Sequence, residues 1–313
     1  MDHGFEKAIA QFNTILMRDI ETNINYTSLL KNTVDFKSVM QYAVSDGKRL
    51  RPVIVGSLSK WQNESFMLFL EYIHTASLII DDLPCMDNDR LRRNRPTLHV
   101  KYGEHIAHLT AYNMTFVGLK HLNDGLERIA PLYTPEDYEI LGKRIRNSVY
   151  SKLGFQGLCG GQYMDLMVNK SNINLLSHRE QKETILKLIN MKTGDLFSLS
   201  LLLGYIGQGG SLTCLDDIEQ AGRVLGLCYQ IIDDLEDYPS DHCKTGGYNN
   251  ICRYFTYNEI IDLFQASLNT FGKTCARLKL FTPEIKHIYQ LFLEKFKEHI
   301  SIIAANARKS GHP

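Results

Sequence analysis

The sequence predicts an all-α chain folded as a single domain over residues 1–313. Three observations carry that expectation. Apolar residues recur at three- and four-residue spacing along most of the chain, helix starts are marked by capping residues, and no convincing pair of strands appears. In chain order, Phe5, Ile9, Phe12, Ile15, Leu16 and Ile20 place a first helix over 5–23. Gly47 is expected to end a helix, and Pro52 suits the first turn of the next. Residues 63–82 read as a strongly apolar helix that Pro84 disrupts, so Asp87 is presented from a bent segment. Thr134-Pro135-Glu136-Asp137, Ser177-His178-Arg179-Glu180 and Thr282-Pro283-Glu284 each join a cap residue to first-turn acids, and open three later helices. The last helix, 283–306, carries Ile285, Ile288, Phe292, Phe296 and Ile303 on one face, with a short polar tail at about 307–313. Gly207 to Gly210 and Gly246-Gly247 read as loops.

Hydrophobic residues make up 44% of the chain, enough for a sizeable core. Its 35 basic and 35 acidic residues cancel, which removes any global attraction to nucleic acid. Seven scattered cysteines with no Cys-x-x-Cys argue for free thiols in a reducing compartment and against a zinc site. The first residues, Met1-Asp2-His3-Gly4-Phe5-Glu6-Lys7, lack a signal-peptide apolar region. The longest apolar stretch, 196–206, is too short to span a bilayer. A soluble cytoplasmic protein without a transmembrane segment is expected.

The charges are organised locally. Asp81, Asp82 and Asp87 follow an apolar run, with Asp89 behind them and Arg92 and Arg93 next in line. Two carboxylates ~4 Å apart repel by about 4 kcal/mol at an effective dielectric near 20, so gathering them calls for a counter-charge. A hard divalent cation such as Mg²⁺ answers that need, because it takes oxygen ligands and shares them with substrate phosphates. A second acidic stretch, Tyr229-Gln230-Ile231-Ile232-Asp233-Asp234-Leu235-Glu236-Asp237, sets Asp233 and Asp237 one helical turn apart on one face.

Asp81-Asp82-Leu83-Pro84-Cys85-Met86-Asp87 resembles the first aspartate-rich motif, in its longer bacterial and plant form, of the trans-isoprenyl diphosphate synthases. Asp233-Asp234-Leu235-Glu236-Asp237 resembles their second. The resemblance runs from about Asp46 to Tyr257 and is greatest to the geranylgeranyl diphosphate synthases. It implies the isoprenoid synthase fold, a bundle of long, mostly antiparallel helices around a central prenyl-chain cavity, and a homodimer. It also implies a Mg²⁺-dependent, head-to-tail condensation of isopentenyl diphosphate with an allylic diphosphate, making mainly the twenty-carbon product.

The resemblance also implies roles for single residues. Asp81, Asp82, Asp87, Asp233 and Asp237 would hold Mg²⁺, three ions with substrate bound. Lys48, Arg51, His74 and Arg93 would bind isopentenyl diphosphate. Arg92, Lys192, Thr193, Gln230 and Lys244 would serve the allylic diphosphate, with Lys192, Thr193 and Gln230 nearest the reacting carbons. Adjacent residues on a helix point apart, which suits Arg92 and Arg93 to two different ligands. Gly160-Gly161-Gln162-Tyr163-Met164-Asp165 matches a further family segment, expected to pack helices and support the site by hydrogen bonds. Ala76 and Ser77, five and four residues before Asp81, are small where fifteen-carbon synthases carry bulky aromatics, leaving room for a longer chain above a floor of Phe69, Tyr72 and Ile73.

The match departs in three places. Arg90 replaces an acid, Asn94 replaces a glycine, and Tyr248 stands where the segment after the second motif carries a lysine, with Arg253 a candidate replacement for a later one. A farnesyl or longer-chain synthase, and a non-catalytic subunit of a prenyltransferase heterodimer, remain alternatives. A class I terpene cyclase fits less well, because its second metal motif differs and it has no use for Lys48, Arg51 and His74.

Overall fold

The computed structural model describes residues 3–23, 35–168, 170–241 and 248–309. They are almost entirely helical, and the chain divides into two compact units, residues 1–140 with 203–210, and residues 141–202 with 211–313.

In the first unit, α1 (His3–Asn23) and α2 (Phe36–Ala43) precede a short α3 (Leu50–Leu58) and the long α4 (Glu64–Asp81). α2 stops at Ala43, four residues before the glycine expected to end it. Two-residue strands β1 (Leu91–Arg92) and β2 (Arg95–Pro96) follow, then α5 (Leu98–Tyr102) and α6 (Glu104–Ile129). The strands correct the expectation of no strand pairing. Leu91 faces Pro96 and Arg92 faces Arg95, and the two linking residues, Arg93 and Asn94, both have positive φ (54° and 60°). Two consecutive left-handed residues are the backbone of a tight hairpin turn, and asparagine tolerates that region well. Strands of two residues are too short to alternate visibly, so only the turn chemistry could have announced them.

α4 forms the centre of this unit. Asn63 caps it, its Oδ1 accepting from Phe66 N at 3.2 Å, while its Nδ2 donates to Gly125 O of α6 at 3.0 Å. Phe66, Phe69 and Tyr72 are fully buried. Close approach of α4 to α6 depends on Gly125, since a Cβ there would sit 2.3 Å from the Phe66 ring. A buried polar knot adds α1 to the pair. Asp19 accepts from the Tyr72 hydroxyl at 2.7 Å and lies 3.2 Å from His121 Nε2, and Tyr72 stacks on the His121 ring at 5.8 Å.

The second unit contains most of α7 (Pro135–Leu153), then α8 (Leu158–Met167), a single turn α9 (Lys170–Ile173) and α10 (His178–Ile189). Next come most of α11 (Asp195–Ile206), then α12 (Leu215–Asp241), α13 (Tyr257–Arg277) and α14 (Pro283–Lys309). The expected helix starts are present. Asp137 N donates to Thr134 Oγ1 at 3.1 Å, Ser177 and Glu180 form a reciprocal capping box, and Ile285 N donates to Thr282 Oγ1 at 3.2 Å. Helical backbone continues to Lys309, three residues beyond the helix end that the sequence suggested. Glu219 joins α12 to α7, accepting from Ser148 Oγ at 2.6 Å and pairing with Lys152 at 3.1 Å. Phe264 of α13 and Phe296 of α14 stack at 3.7 Å.

The Asp19 knot makes the first unit's stability depend on pH. Burial alone would raise the Asp19 carboxyl, but hydrogen bonds from His121 and Tyr72 outweigh it and hold the group below the usual carboxylate range. A depressed folded value means that the stabilisation is present above the unfolded carboxylate pKa of about 3.9 and disappears as pH falls through the folded value. Asp19→Asn is expected to cost about 1–3 kcal/mol at pH 7. Urea unfolding of both proteins across pH should show that difference shrinking once Asp19 is protonated in the wild type.

Candidate functional site

In the first unit, α4 delivers Asp81 at its last residue and Asp82 at its C-cap, Asp82 N donating to Leu78 O at 3.1 Å. Beyond Pro84 the chain folds back on itself: Asp87 N donates to Asp81 O at 2.9 Å and Asn88 N to Leu83 O at 3.1 Å. Asp87 is therefore presented from a turn closed onto Asp81, half-buried Asp81 and exposed Asp87 sharing one short loop. Asp82 is turned inward. Arg92 Nε lies 3.0 and 3.3 Å from its two oxygens, and Nη2 donates to the same carboxylate. The planar guanidinium makes this a forked pair that ties β1 to the end of α4.

Arg92 and Arg93 diverge because one lies on a strand and the other in a left-handed turn, and not because they are neighbours on a helix. Arg93 Nη1 donates to Ser45 O at 2.9 Å, which sets it against the loop that carries Lys48. Arg95 also reaches that loop, pairing with Asp46 at 2.7 Å and lying 4.2 Å above the Tyr42 ring. A cleft beside the pair is lined by Tyr42, Thr75, Ile79, Arg92, Arg93 and Thr97.

Lys48 is exposed, and Arg51 lies in the first turn of α3 with Nη1 3.4 Å from His74 Nε2. Desolvation in this crowded place, then the charges of Arg51, Arg93, Arg49 and Arg92, hold the His74 imidazole well below its ordinary range. It is neutral at pH 7, and its surroundings are strongly cationic. Ala76 is buried, and the half-buried Ser77 donates its hydroxyl to His74 O at 2.9 Å. Of the expected floor residues, Tyr72 is committed to Asp19, while Ile73 lies against Gly118 of α6, as does the backbone of Phe69.

In the second unit, Asn190–Gly194 is one π-helical turn between α10 and α11. Such turns widen a helix by a residue and recur at functional sites. Lys192 Nζ donates to Asp165 of α8, and Asn249 Nδ2 donates to the other oxygen of the same carboxylate. Thr193 Oγ1 donates to Gln230 Oε1 at 2.8 Å. Gln230 Nε2 donates to Asp234 Oδ1 at 2.8 Å, and Asp234 Oδ2 accepts from Ile251 N at 2.8 Å. Asp234 is buried, whereas Asp233 is half-buried and Asp237 exposed on α12. Lys244 lies outside the described residues. Arg253 sits over the Tyr248 ring at 4.9 Å.

The chain belongs to the polyprenyl synthetase family. That family's model matches residues 34–248. Over 239 residues the chain is 31% identical to the geranylgeranyl diphosphate synthase of Pantoea ananas, covering 73% of this chain and 74% of that one. It is 32% identical to the large subunit 2 of a heterodimeric geranylgeranyl pyrophosphate synthase of Arabidopsis thaliana, covering 72% of this chain and 58% of that one. The present chain thus spans less than two thirds of that plant relative. An FPP/GFPP synthase structure from Zymomonas mobilis, solved without ligand, is similar with a TM-score of 0.75 at 25% identity, covering 94% of this chain and all of that one. The fold of this polyprenyl synthetase is therefore the isoprenoid synthase fold that its sequence implied.

Sequence reasoning passed over Asp165, Asp234, Asp46 and Arg95 as individual actors. Asp234 and Asp165 stood inside recognised motifs, but nothing in their spacing says that one turns inward and the other collects two donors. Asp46 and Arg95 carry no signal, because their pairing depends on the hairpin. Cys252 is no candidate nucleophile, its thiol being pushed up to about 12 by burial and then by the charge of Asp234. Asp234→Ala should lower stability by about 2–4 kcal/mol, since two buried hydrogen bonds to a charged acceptor disappear. Asp233→Ala should cost less, and thermal melting of the two variants without metal or substrate compares them.

Proposed function

We propose that this polyprenyl synthetase condenses isopentenyl diphosphate with an allylic diphosphate, head to tail, making mainly geranylgeranyl diphosphate. One observation supports the reading most. The Asp81–Asp87 turn and the cationic group Arg51, His74 and Arg93 are built around the same helix, α4, and its hairpin. Carboxylates for a metal and cations for a diphosphate, side by side, suit a substrate that carries both phosphate and metal.

The metal fit rests on donor chemistry. Among the described residues no three His, Cys, Asp or Glu side chains converge into a metal cage. Asp81 and Asp87 in the first unit, and Asp233 and Asp237 in the second, are hard oxygen donors of the kind Mg²⁺ takes when substrate phosphates complete its shell. These residues, with Asp82 behind them, would hold three ions, whose charge would offset that of a leaving diphosphate. Arg92, Lys192 and Lys244 bind the allylic diphosphate and favour its departure by the same electrostatic logic. Thr193 and Gln230 turn oxygen dipoles toward the allylic cation without attacking it. Lys48, Arg51, His74 and Arg93 hold isopentenyl diphosphate so that its double bond meets that cation. The proton then lost passes to the departed diphosphate. The reading takes 1–313 as one prenyltransferase domain.

Product length follows from Ala76 and Ser77, whose small side chains leave the pocket open beyond fifteen carbons. With Mg²⁺, isopentenyl diphosphate and each allylic primer, the purified chain is expected to yield a twenty-carbon diphosphate, and Ala76→Tyr to shorten it to fifteen. Chromatography of the products reads both outcomes. A fifteen-carbon product from the wild type rejects the open pocket but keeps the chemistry. No product, with metal and substrate still bound, points instead to a non-catalytic subunit.

The assembly is a homodimer in this reading. Leu109, Tyr112 and Phe116 of α6 are 58%, 61% and 70% exposed and share one face at helical spacing, an apolar stripe that a second copy would cover. Phe116→Asp should convert dimer to monomer in light scattering. Six cysteines among the described residues are free thiols, and no described helix is long and apolar enough to cross a membrane, both of which suit the cytoplasm.

A further inference from the structure

Between Lys48 and Arg51 stands an arginine that does something different. Arg49 is 3% exposed, and its guanidinium runs back into the first unit. Nη1 donates to the Glu71 carboxylate of α4, Nη2 donates to Val44 O at the end of α2, and Nε donates to Asn13 Oδ1 of α1 at 2.9 Å. The Phe12 ring lies 6.0 Å away. Glu71 is 2% exposed, so the pair is buried on both sides.

The backbone at Arg49 is unusual in the same place. Its φ is +54°, it occupies the N-cap of α3, and its side chain makes no cap hydrogen bond. A left-handed non-glycine residue is strained and persists only where its surroundings hold it. Here the holding groups are the three acceptors of the guanidinium. Gly47 provides the space for this arrangement, because a Cβ at that position would lie 2.5 Å from Arg49 Nη1. The left-handed backbone at Arg49 accompanies a side chain that runs inward, while exposed Lys48 precedes it and Arg51 follows toward His74.

We propose that Arg49, buried against Glu71, is a positioning residue that aims Lys48 and Arg51 at the diphosphate of isopentenyl diphosphate. This rests on the reading of Lys48 and Arg51 as its binders. Arg49 does not touch the substrate. It fixes the backbone from which both neighbours project, and only a planar fork with several donors can meet acceptors on three elements at once. Lysine keeps the charge but not that geometry.

Steady-state kinetics of the full chain, varying each substrate separately, tests the proposal. The paired change Arg49→Met with Glu71→Leu removes the ion pair without leaving a buried lone charge, the kind of replacement that usually preserves folding. In this variant KM for isopentenyl diphosphate should rise about tenfold, with KM for farnesyl diphosphate within about twofold of wild type. Arg49→Lys should fall between the two. A general loss of structure would move both KM values or lower kcat alone, so either pattern overturns the proposal, as does an unchanged pair of constants. Gly47→Ala, which only crowds the guanidinium, gives an independent arm and should show the same selective rise. A folded Gly47→Ala protein with wild-type kinetics overturns the proposal even if the paired variant does not fold. Lys48→Ala separates the two levels of failure. If it leaves KM for isopentenyl diphosphate unchanged, the diphosphate reading falls and this inference with it. If it raises that KM and the Arg49 variants do not, this inference alone fails.

Discussion

Residues 46–95 mix arginines with carboxylates at close range, and the constraint on everything around them is which charges are allowed to pair. Left to itself such a segment would collapse into arbitrary ion pairs. The first unit makes specific ones instead, among them Asp82 with Arg92, Asp46 with Arg95, and Glu71 with Arg49. Each joins two backbone segments that must stay in register. The end of α4 is tied to β1, the loop before α3 is tied to β2, and the start of α3 is tied to the middle of α4. The Glu71–Arg49 pair is buried on both sides, and a buried pair is costly to desolvate, so its value lies in geometry more than in net stability.

The cationic neighbours of His74 follow from the same arrangement. Four arginines act on one imidazole, and two of them, Arg49 and Arg92, have carboxylates behind them. With Arg49 and Arg92 anchored by acids, Arg51 lies 3.4 Å from His74 and Arg93 reaches Ser45 O. The result is a local cluster of cationic side chains beside His74 of α4, although the whole chain is electrically neutral.

In the second unit the ordering agent is a chain of hydrogen bonds. It runs from Thr193 through Gln230 to Asp234 and on to the backbone of Ile251. Every polar atom of the Gln230 amide has an assigned partner, so its orientation is set by the network and not by substrate. The π-turn at Asn190–Gly194 places Thr193 at one end of this chain and sends Lys192 toward Asp165. Asp165 accepts from Lys192 and Asn249 together, which couples the lysine to the segment following α12.

Helix identity, caps and the two acidic motifs were legible in the sequence because they depend on near neighbours. Periodicity, a capping serine and a proline all act within one or two turns. The family was legible for the same reason, its motifs being short runs of adjacent residues. What the tertiary structure alone decided is the direction of individual side chains. Asp82 and Asp234 turn inward while Asp81, Asp87, Asp233 and Asp237 remain more open, and sequence spacing does not distinguish them. The Arg93-Asn94 hairpin and the left-handed Arg49 arise because a turn conformation must be supported by groups from distant segments, and α1, α2 and α4 supply them. Which acid an arginine meets is a three-dimensional fact, since Coulomb attraction depends on distance in space and not on separation along the chain.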